Sequence, residues 1–258
     1  MRLLLAVDRL AEREPLADLL TAARTAHAAG LDGLWLEEST ALEAPLVAAA
    51  GLAGEPDLRL VCALRVGRDH PLHVAEAAAV ADRATGGRIT LALGSAPGAE
   101  ERFAEALDLV RTALAARPFR HDGPGWRVPA GLAENERAPD RLARLTPAPA
   151  QLELGVWGWG AGATAAALAA GVGHVAEAGE DLAPPAGPAV RGRVVAAPDL
   201  RLDRLREERA RGLDLLVVRC APAARERVAD DVARRLRPRL ELPSLPEGLE
   251  ASWEELSP

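Results

Sequence analysis

The sequence predicts a TIM-type (β/α)8 barrel of the α/β class, and three observations lead to that prediction. Short apolar segments alternate with longer amphipathic segments along most of the 258 residues. The short segments are apolar on both faces, as strands of a parallel sheet covered on each side are. Eight such segments recur before residue 219, with no linker between complete halves, which favours one closed barrel.

The predicted strands lie at 3–7, 34–37, 58–64, 88–93, 152–157, 174–178, 190–197 and 213–218. The predicted helices lie at 14–29, 42–53, 71–85, 99–116, 161–170, 200–211 and 222–236. Within 99–116, four apolar side chains recur at helical spacing: Phe103, Leu107, Val110 and Leu114. Residues 178–189 contain three prolines, two glycines and no helical period, so we expect the helix between strands six and seven to be missing.

Residues 1–258 are expected to form a single barrel domain with one long interruption. The segment 119–128 is typical of a hairpin around Gly-Pro-Gly, and the 22 residues after it are too long for a routine connection. We therefore predict that 119–150 is an insertion or a lid. Residues 238–258 are expected to form a proline-containing C-terminal tail.

Composition excludes several classes of function. The net charge of −7 argues against a nucleic-acid partner, and the chain has no lysine or tyrosine, which excludes a Schiff-base lysine. Cys62 and Cys220 lie in separate apolar segments and indicate neither a disulfide framework nor a metal site. No apolar segment reaches the ~18 residues of a membrane helix, so we expect no membrane contact and a cytoplasmic protein.

A glycine turn at 158–163 follows the fifth predicted strand and opens a helix, with Glu177 ending the next strand. The G-x-G-x-x-A pattern can indicate a dinucleotide-binding fold, but it comes after four complete strand–helix units instead of opening the domain. A phosphate bound by the amides of 160–163 and the Thr164 hydroxyl is one alternative. A close turn of small residues is the other.

Three further groups of residues are candidates for function. His70 and His73 flank a helix start, where capping by Asp69 or His70 is favoured over metal binding, for which only Asp69 and Glu76 could supply a third ligand. Glu37 and Glu38 end the second strand, on the catalytic face of a barrel. Trp157 and Trp159 alternate on the fifth strand and could line a cavity or pack in the core.

From about residue 27 to 175, the chain resembles the bacterial luciferase-like monooxygenases, which use reduced flavin or a deazaflavin coenzyme. The resemblance is carried by "AHAAGLDGLWLEES", "DHPLHVAEAAAVADRATGGRITLALGSAP", "AEERFAEALDLVRTAL" and "TPAPAQLELGVWGWGAGATAAALAAGVG". The most specific part is the order His-Pro, a helix with Ala-Asp, Gly-Gly-Arg, and a strand ending in Leu-Gly. The shortened connection at 178–189 is similar to that of the non-fluorescent flavoproteins.

The resemblance implies a flavin, FMN or the related deazaflavin coenzyme, at the carboxyl ends of the strands. Ring contacts would come from Cys62, Ala63 and Arg65, with either a cis peptide or an ordinary trans bond between Cys62 and Ala63. The remaining cofactor contacts would come from the ends of later strands and the glycine turn: Gly94, Ser95, Trp159, Gly160, Ala161, Gly162 and Thr164. Near Ser95, members of the family often carry an arginine or a bulky polar group. Many members carry a histidine or aspartate where Glu38 stands.

The resemblance therefore implies a flavin-dependent oxidoreductase that inserts one oxygen atom into a small organic substrate, or transfers a hydride if the cofactor is a deazaflavin. Glu38 is the candidate catalytic base, no metal is expected, and the family favours a homodimer. The alternative is a degenerate member without catalysis, which stores flavin or serves as the partner subunit of a true monooxygenase. The departures at Glu38 and Ser95 and the shortened barrel favour this alternative.

Overall fold

A computed structural model describes residues 1–7, 16–37, 44–55, 58–67, 69–129, 141–181 and 189–240. The strands are β1 Arg2–Val7, β2 Gly33–Glu37, β3 Arg59–Val66, β4 Ile89–Ser95, β5 His121–Asp122, β6 Arg127–Val128, β7 Gly155–Trp159, β8 His174–Ala176, β9 Arg191–Ala196 and β10 Leu215–Arg219. The helices are α1 Leu16–Ala28, α2 Ala44–Gly51, α3 Pro71–Ala84, α4 Glu100–Leu114, α5 Thr164–Ala169, α6 Leu202–Ala210, α7 Arg225–Asp231 and α8 Arg237–Arg239.

Eight parallel strands close into a barrel in the order β1-β10-β9-β8-β7-β4-β3-β2. Closure depends on the pairing of the first and last strands, in which Leu4 is opposite Val217. Residues that point inward form one buried cluster, and those that point outward pack under the helices in another. The predicted TIM-type barrel is confirmed.

Most predicted elements agree with the observed ones, and the apolar face predicted for α4 is buried throughout. The fifth barrel strand is an exception, because it runs over Gly155–Trp159 instead of 152–157. Leu152 belonged to the apolar pattern used for that prediction, yet it is 95% exposed. No helix occurs in the described residues between β8 and β9, and the rest of that connection, 182–188, lies outside the described residues.

The predicted hairpin is confirmed as the antiparallel pair β5–β6, and it lies outside the barrel. It is held by α4, where the Glu105 carboxylate accepts hydrogen bonds from the amides of Gly125 (2.9 Å) and Trp126 (2.9 Å) and contacts the His121 ring. The Trp126 ring lies 6.3 Å from the ring of His70, which caps the start of α3 by accepting from the Leu72 amide. Residues 130–140 of the expected lid lie outside the described residues, so the lid role stays a prediction.

The return of the insertion to the barrel depends on Asp82, a fully buried carboxylate of α3. It accepts hydrogen bonds from the amides of Ala150 (2.8 Å) and Gln151 (3.0 Å) and from the Gln151 side chain (2.7 Å). Gln151 also donates to the carbonyl of Ile89 at the start of β4. One buried acid therefore fixes the chain immediately before it enters β7.

In the described part of the chain, no helix is long and apolar enough to cross a membrane.

We expect Asp82→Ala to lower the free energy of unfolding by about 3 kcal/mol, because three donors lose a fully buried, charged acceptor. Urea unfolding followed by circular dichroism measures this change. Asp203→Ala, at a side chain that is 97% exposed, is the control and should change stability by less than about 0.5 kcal/mol. Equal effects of the two substitutions would contradict the role given to Asp82.

The anchoring of the hairpin should depend on pH. Partial burial alone would raise the pKa of Glu105, but hydrogen bonds from His121, Trp126 and Gly125 outweigh it and lower the pKa. A lowered pKa in the folded state stabilises the fold above the pKa of the unfolded chain, and this stabilisation is lost as pH falls through the folded value. We therefore expect Glu105→Gln to lower the melting temperature at pH 7, and the difference from wild type to shrink below about pH 4. A difference independent of pH would contradict this assignment.

Candidate active site at the mouth of the barrel

The carboxyl ends of the barrel strands bring together a compact floor of charged and indole side chains. Strand alternation places Glu37, Arg65, Trp159 and Arg219 at the ends of four different strands, on the same side as the inward-pointing residues. Trp35 lies one layer below, with its ring edge against Trp159 at a centroid distance of 5.8 Å. Because all strands are parallel, these ends meet at one opening, where TIM barrels carry their active sites.

Arg219 bridges two carboxylates across this opening. Its Nη2 donates to Oε2 of Glu37 at 2.5 Å, and its Nη1 donates to Oε2 of Glu177 at 3.3 Å. The three side chains are 28%, 16% and 23% exposed respectively, so the bridge is largely desolvated but still reaches solvent. Arg219 Nε is buried and has no hydrogen-bond partner among the described residues, which leaves one donor of the floor unused.

Burial and neighbouring charge shift the pKa values of Glu37 and Arg219 in opposite directions. Burial raises the pKa of Glu37, and the nearby Arg219 guanidinium opposes that rise without cancelling it. Burial would lower the pKa of Arg219, but the two carboxylates outweigh it and raise the pKa. Glu37 therefore takes up a proton more readily than an ordinary glutamate, next to a guanidinium that stays charged.

Trp159 is packed on all sides although it ends its strand. It is 2% exposed, and its ring lies so close to Gly94 that a Cβ atom there would come within 3.1 Å of it. The Arg65 guanidinium lies above the ring, 4.6 Å from its centroid, in a cation–π contact, and Arg65 itself is exposed. The indole Nε1 donates to Oε1 of Glu177 at 2.6 Å. Trp159 thus joins the barrel interior to the charged floor.

The glycine turn after β7 is already hydrogen-bonded within the chain. Gly160 has a φ of 77°, which favours glycine, and its carbonyl accepts from His174 Nε2 at 2.9 Å. The Thr164 hydroxyl also contacts His174 Nε2, at 3.1 Å. The amide of Ala161 donates to the carboxylate of Glu180 at 2.9 Å. The amide and the hydroxyl that could hold a phosphate therefore both have partners from β8 and the loop after it.

The structure brings together most, but not all, of the residues predicted to contact a cofactor. Arg65, Gly94 and Trp159 contact one another, and Ser95 lies against Gly162 of the turn, 3.4 Å from where a Cβ atom on that glycine would be. Ser95 is buried, with its hydroxyl on the carbonyl of Ala96.

The expected ring contacts on β3 are only partly present at the mouth. Cys62 points away from the mouth to the carbonyl of Pro45, in surroundings whose burial raises the pKa of its thiol. Ala63 is fully buried inside the barrel. The bond between them is trans, since the cis peptides of the described chain are Val128–Pro129 and Thr146–Pro147. Glu38, the predicted base, lies outside the described residues.

Sequence reasoning missed Arg219, the residue that connects the floor. The available signal was its position: like Glu37, it is a charged residue that directly ends a buried strand. The sequence indicates the two acids only separately: Glu37 as an acid at a strand end, and Glu177 as part of a dinucleotide pattern. The dinucleotide interpretation is wrong, because β7 is the fifth strand of a closed barrel.

The chain belongs to the luciferase-like monooxygenase family, whose model matches residues 4–197. Among solved structures, it is similar to an F420-dependent secondary alcohol dehydrogenase in complex with an F420–acetone adduct, with a TM-score of 0.65 and 12% identity over 93% of this chain and 99% of that one. It is also similar to EDTA monooxygenase from Chelativorans sp. BNC1, with a TM-score of 0.60 and 15% identity over 95% and 99% of the two chains.

A third similar structure is the coenzyme F420-dependent tetrahydromethanopterin reductase from Methanopyrus kandleri, with a TM-score of 0.58 and 12% identity over 93% and 99% of the chains. No curated protein matches this chain. At these identities, the solved structures support the barrel fold alone.

We expect Arg219→Gln to lower the free energy of unfolding by about 2 kcal/mol at pH 7, because it leaves two largely buried carboxylates side by side. Their mutual repulsion raises both pKa values in the folded variant, so stability is lost as pH rises through those values. The difference in free energy of unfolding between the variant and the wild type should therefore become smaller as pH falls toward about 4. Chemical unfolding at pH 4, 5.5 and 7 measures it, with Arg227→Gln on the exposed side of α7 as the control. A gap that does not change with pH would contradict the bridge.

Proposed function

We propose that this chain is a flavin- or deazaflavin-dependent oxidoreductase of the luciferase-like monooxygenase type, acting on a small organic molecule at the mouth of the barrel. The observation that carries the proposal is the pair of guanidiniums, Arg65 and Arg219, on a floor of indole rings. Positive charge next to a flavin ring stabilises the reduced, anionic form of the cofactor. The unused Nε donor of Arg219 fits a ring carbonyl or nitrogen.

The fit of the residues to such a cofactor differs between its two ends. A planar ring fits over Arg65, whose guanidinium is exposed above Trp159. A terminal phosphate does not fit the turn at 160–164, since Glu180 occupies the amide of Ala161. The cofactor, when bound, would supply electrons for oxygen insertion or hydride transfer; the chain's own residues would orient the ring and handle protons.

Within this proposal, Glu37 is the residue that holds a proton near the reacting ring, because its pKa is raised and its carboxylate faces the mouth beside Arg219. Glu38 is proposed as a second acid or base. The insertion at 119–150 is proposed to cover the site, and two copies of the chain to form the working unit.

A second function, a family member without catalysis, is favoured by a different observation. Most of the floor is paired without a ligand: Trp159 is packed and hydrogen-bonded to Glu177, and Arg219 forms ion pairs with both acids. Strand β3 is also regular along its whole length, in register with β4 from Leu60 to Val66. Such a protein would keep the fold and bind flavin without turnover, or serve as a partner subunit.

Titration with each cofactor, followed by a test for substrate oxidation, separates these functions. We expect the purified chain to quench the fluorescence of riboflavin, FMN or the deazaflavin coenzyme on titration, with stronger binding after anaerobic reduction because the reduced ring is anionic. Arg65→Gln should weaken binding of the reduced form about tenfold through loss of one facing charge. Arg227→Gln is the matched control. Binding followed by substrate-dependent oxidation supports the oxidoreductase, whereas binding with no oxidation of any tested substrate favours the second function. Absence of binding to every cofactor overturns both flavin-based proposals.

A further inference from the structure

We propose that Glu180 excludes phosphorylated cofactors, so that the chain prefers a flavin whose ribityl chain ends in a free hydroxyl. This inference rests on the proposed function, because it concerns the same site. Its basis is that a carboxylate of the chain occupies the position at the glycine turn where a cofactor phosphate would be bound.

The Glu180 carboxylate is fixed at the turn by two hydrogen bonds. One oxygen accepts from the amide of Ala161 at 2.9 Å, and the other accepts from the amide of Glu177 at 2.8 Å. These are its hydrogen bonds among the described residues, and both donors are backbone amides. A phosphate would have to displace the carboxylate from the Ala161 amide and would then remain beside it.

The backbone of this loop is held as firmly as the side chain. The Glu180 carbonyl accepts from Arg193 Nη1 at 2.9 Å, and Arg193 is itself paired with Glu208 at 2.9 Å, both side chains being less than 9% exposed. The Glu180 amide closes a turn onto the carbonyl of Glu177. The backbone that carries Glu180 is therefore tied to the buried face of β9 through Arg193.

Two further acids lie near the turn, and the arginines beside them, Arg219 and Arg193, are already paired with carboxylates. Arg65 donates to the carbonyl of Ser95 at 3.3 Å. The Glu177 carboxylate lies at the end of the same loop, and the Glu100 side chain comes within 3.9 Å of where a Cβ atom on Gly162 would be. The hydroxyl of Ser95, by contrast, is neutral and points to the carbonyl of Ala96. A phosphate dianion bound at the Ala161 amide would be repelled by the carboxylates of Glu180 and Glu177, so it is disfavoured here.

A neutral polyol chain suits the same surroundings. Its hydroxyls can donate to the carboxylates of Glu180 and Glu177, which act only as acceptors when ionised. The ring would still lie over Arg65 and Arg219, so the preference concerns the end of the side chain alone. The ligands with this chemistry are riboflavin and the deazaflavin whose ribityl chain carries no phosphate.

The test compares riboflavin with FMN on the wild-type chain by flavin fluorescence quenching, which requires no turnover. We expect riboflavin to bind at least about tenfold more tightly than FMN, and the ratio to shrink with added salt because the repulsion is screened. In Glu180→Gln, which keeps the size of the side chain and removes its charge, FMN should gain about tenfold while riboflavin changes little. Glu153→Gln, at an exposed position before β7, is the control and should leave the ratio unchanged.

Tighter binding of FMN by the wild-type chain would overturn this inference and leave the proposed function intact. An unchanged FMN-to-riboflavin ratio in Glu180→Gln would also overturn it, since the preference would then have another cause. Failure of both flavins to bind, together with failure of the two deazaflavin forms, would instead overturn the proposed function. The two failures are therefore distinguishable in one set of titrations.

Discussion

The space inside the closed barrel is the constraint on which the rest of the structure depends. Eight strands enclose an interior just wide enough for side chains to fill. Here three tryptophans, Trp35, Trp157 and Trp159, occupy it together with smaller inward residues, which are alanine, valine and leucine. Large side chains opposite small ones fill the volume without strain. Gly94 illustrates this, because a Cβ atom there would come within 3.1 Å of the Trp159 ring and of its carbonyl oxygen.

This packing also determines the polar chemistry at the mouth. With Trp159 held against β4, its Nε1 reaches Glu177, and Glu177 is thereby placed where Arg219 can bridge it to Glu37. The amide of the same Glu177 donates to Glu180, which in turn occupies the glycine turn. A continuous set of contacts therefore runs from the barrel interior through the floor to the loop after β8.

The fold was predictable because its signals are local. Apolar strands followed by amphipathic helices need no long-range information. The expectation that Arg65, Gly94 and Trp159 share one site came from the family resemblance, and it agrees with the rule that parallel strands end at one face. The β7 boundary was misplaced because Leu152 is apolar yet lies outside the strand, where burial pattern and residue type disagree. The partner of Arg219 is harder to predict than its position at a strand end, because only closure of β10 onto β1 brings it to Glu37, 182 residues earlier in the chain.

The difference between local sequence signals and long-range contacts also explains why family membership defines the barrel more firmly than the ligand. Structures that share 12–15% of their residues with this chain share its strand order, which depends on patterns many sequences satisfy. Recognition of a phosphate depends on the charge at a few atoms, and one carboxylate at the amide of Ala161 reverses it. The glycine turn itself has a glycine pattern found in phosphate loops, with Gly160 at positive φ, so a sequence motif detects it. The charge that decides what the turn accepts comes from Glu180, which no motif connects to the turn. Specificity at this site is therefore a property of the loop after β8 more than of the turn.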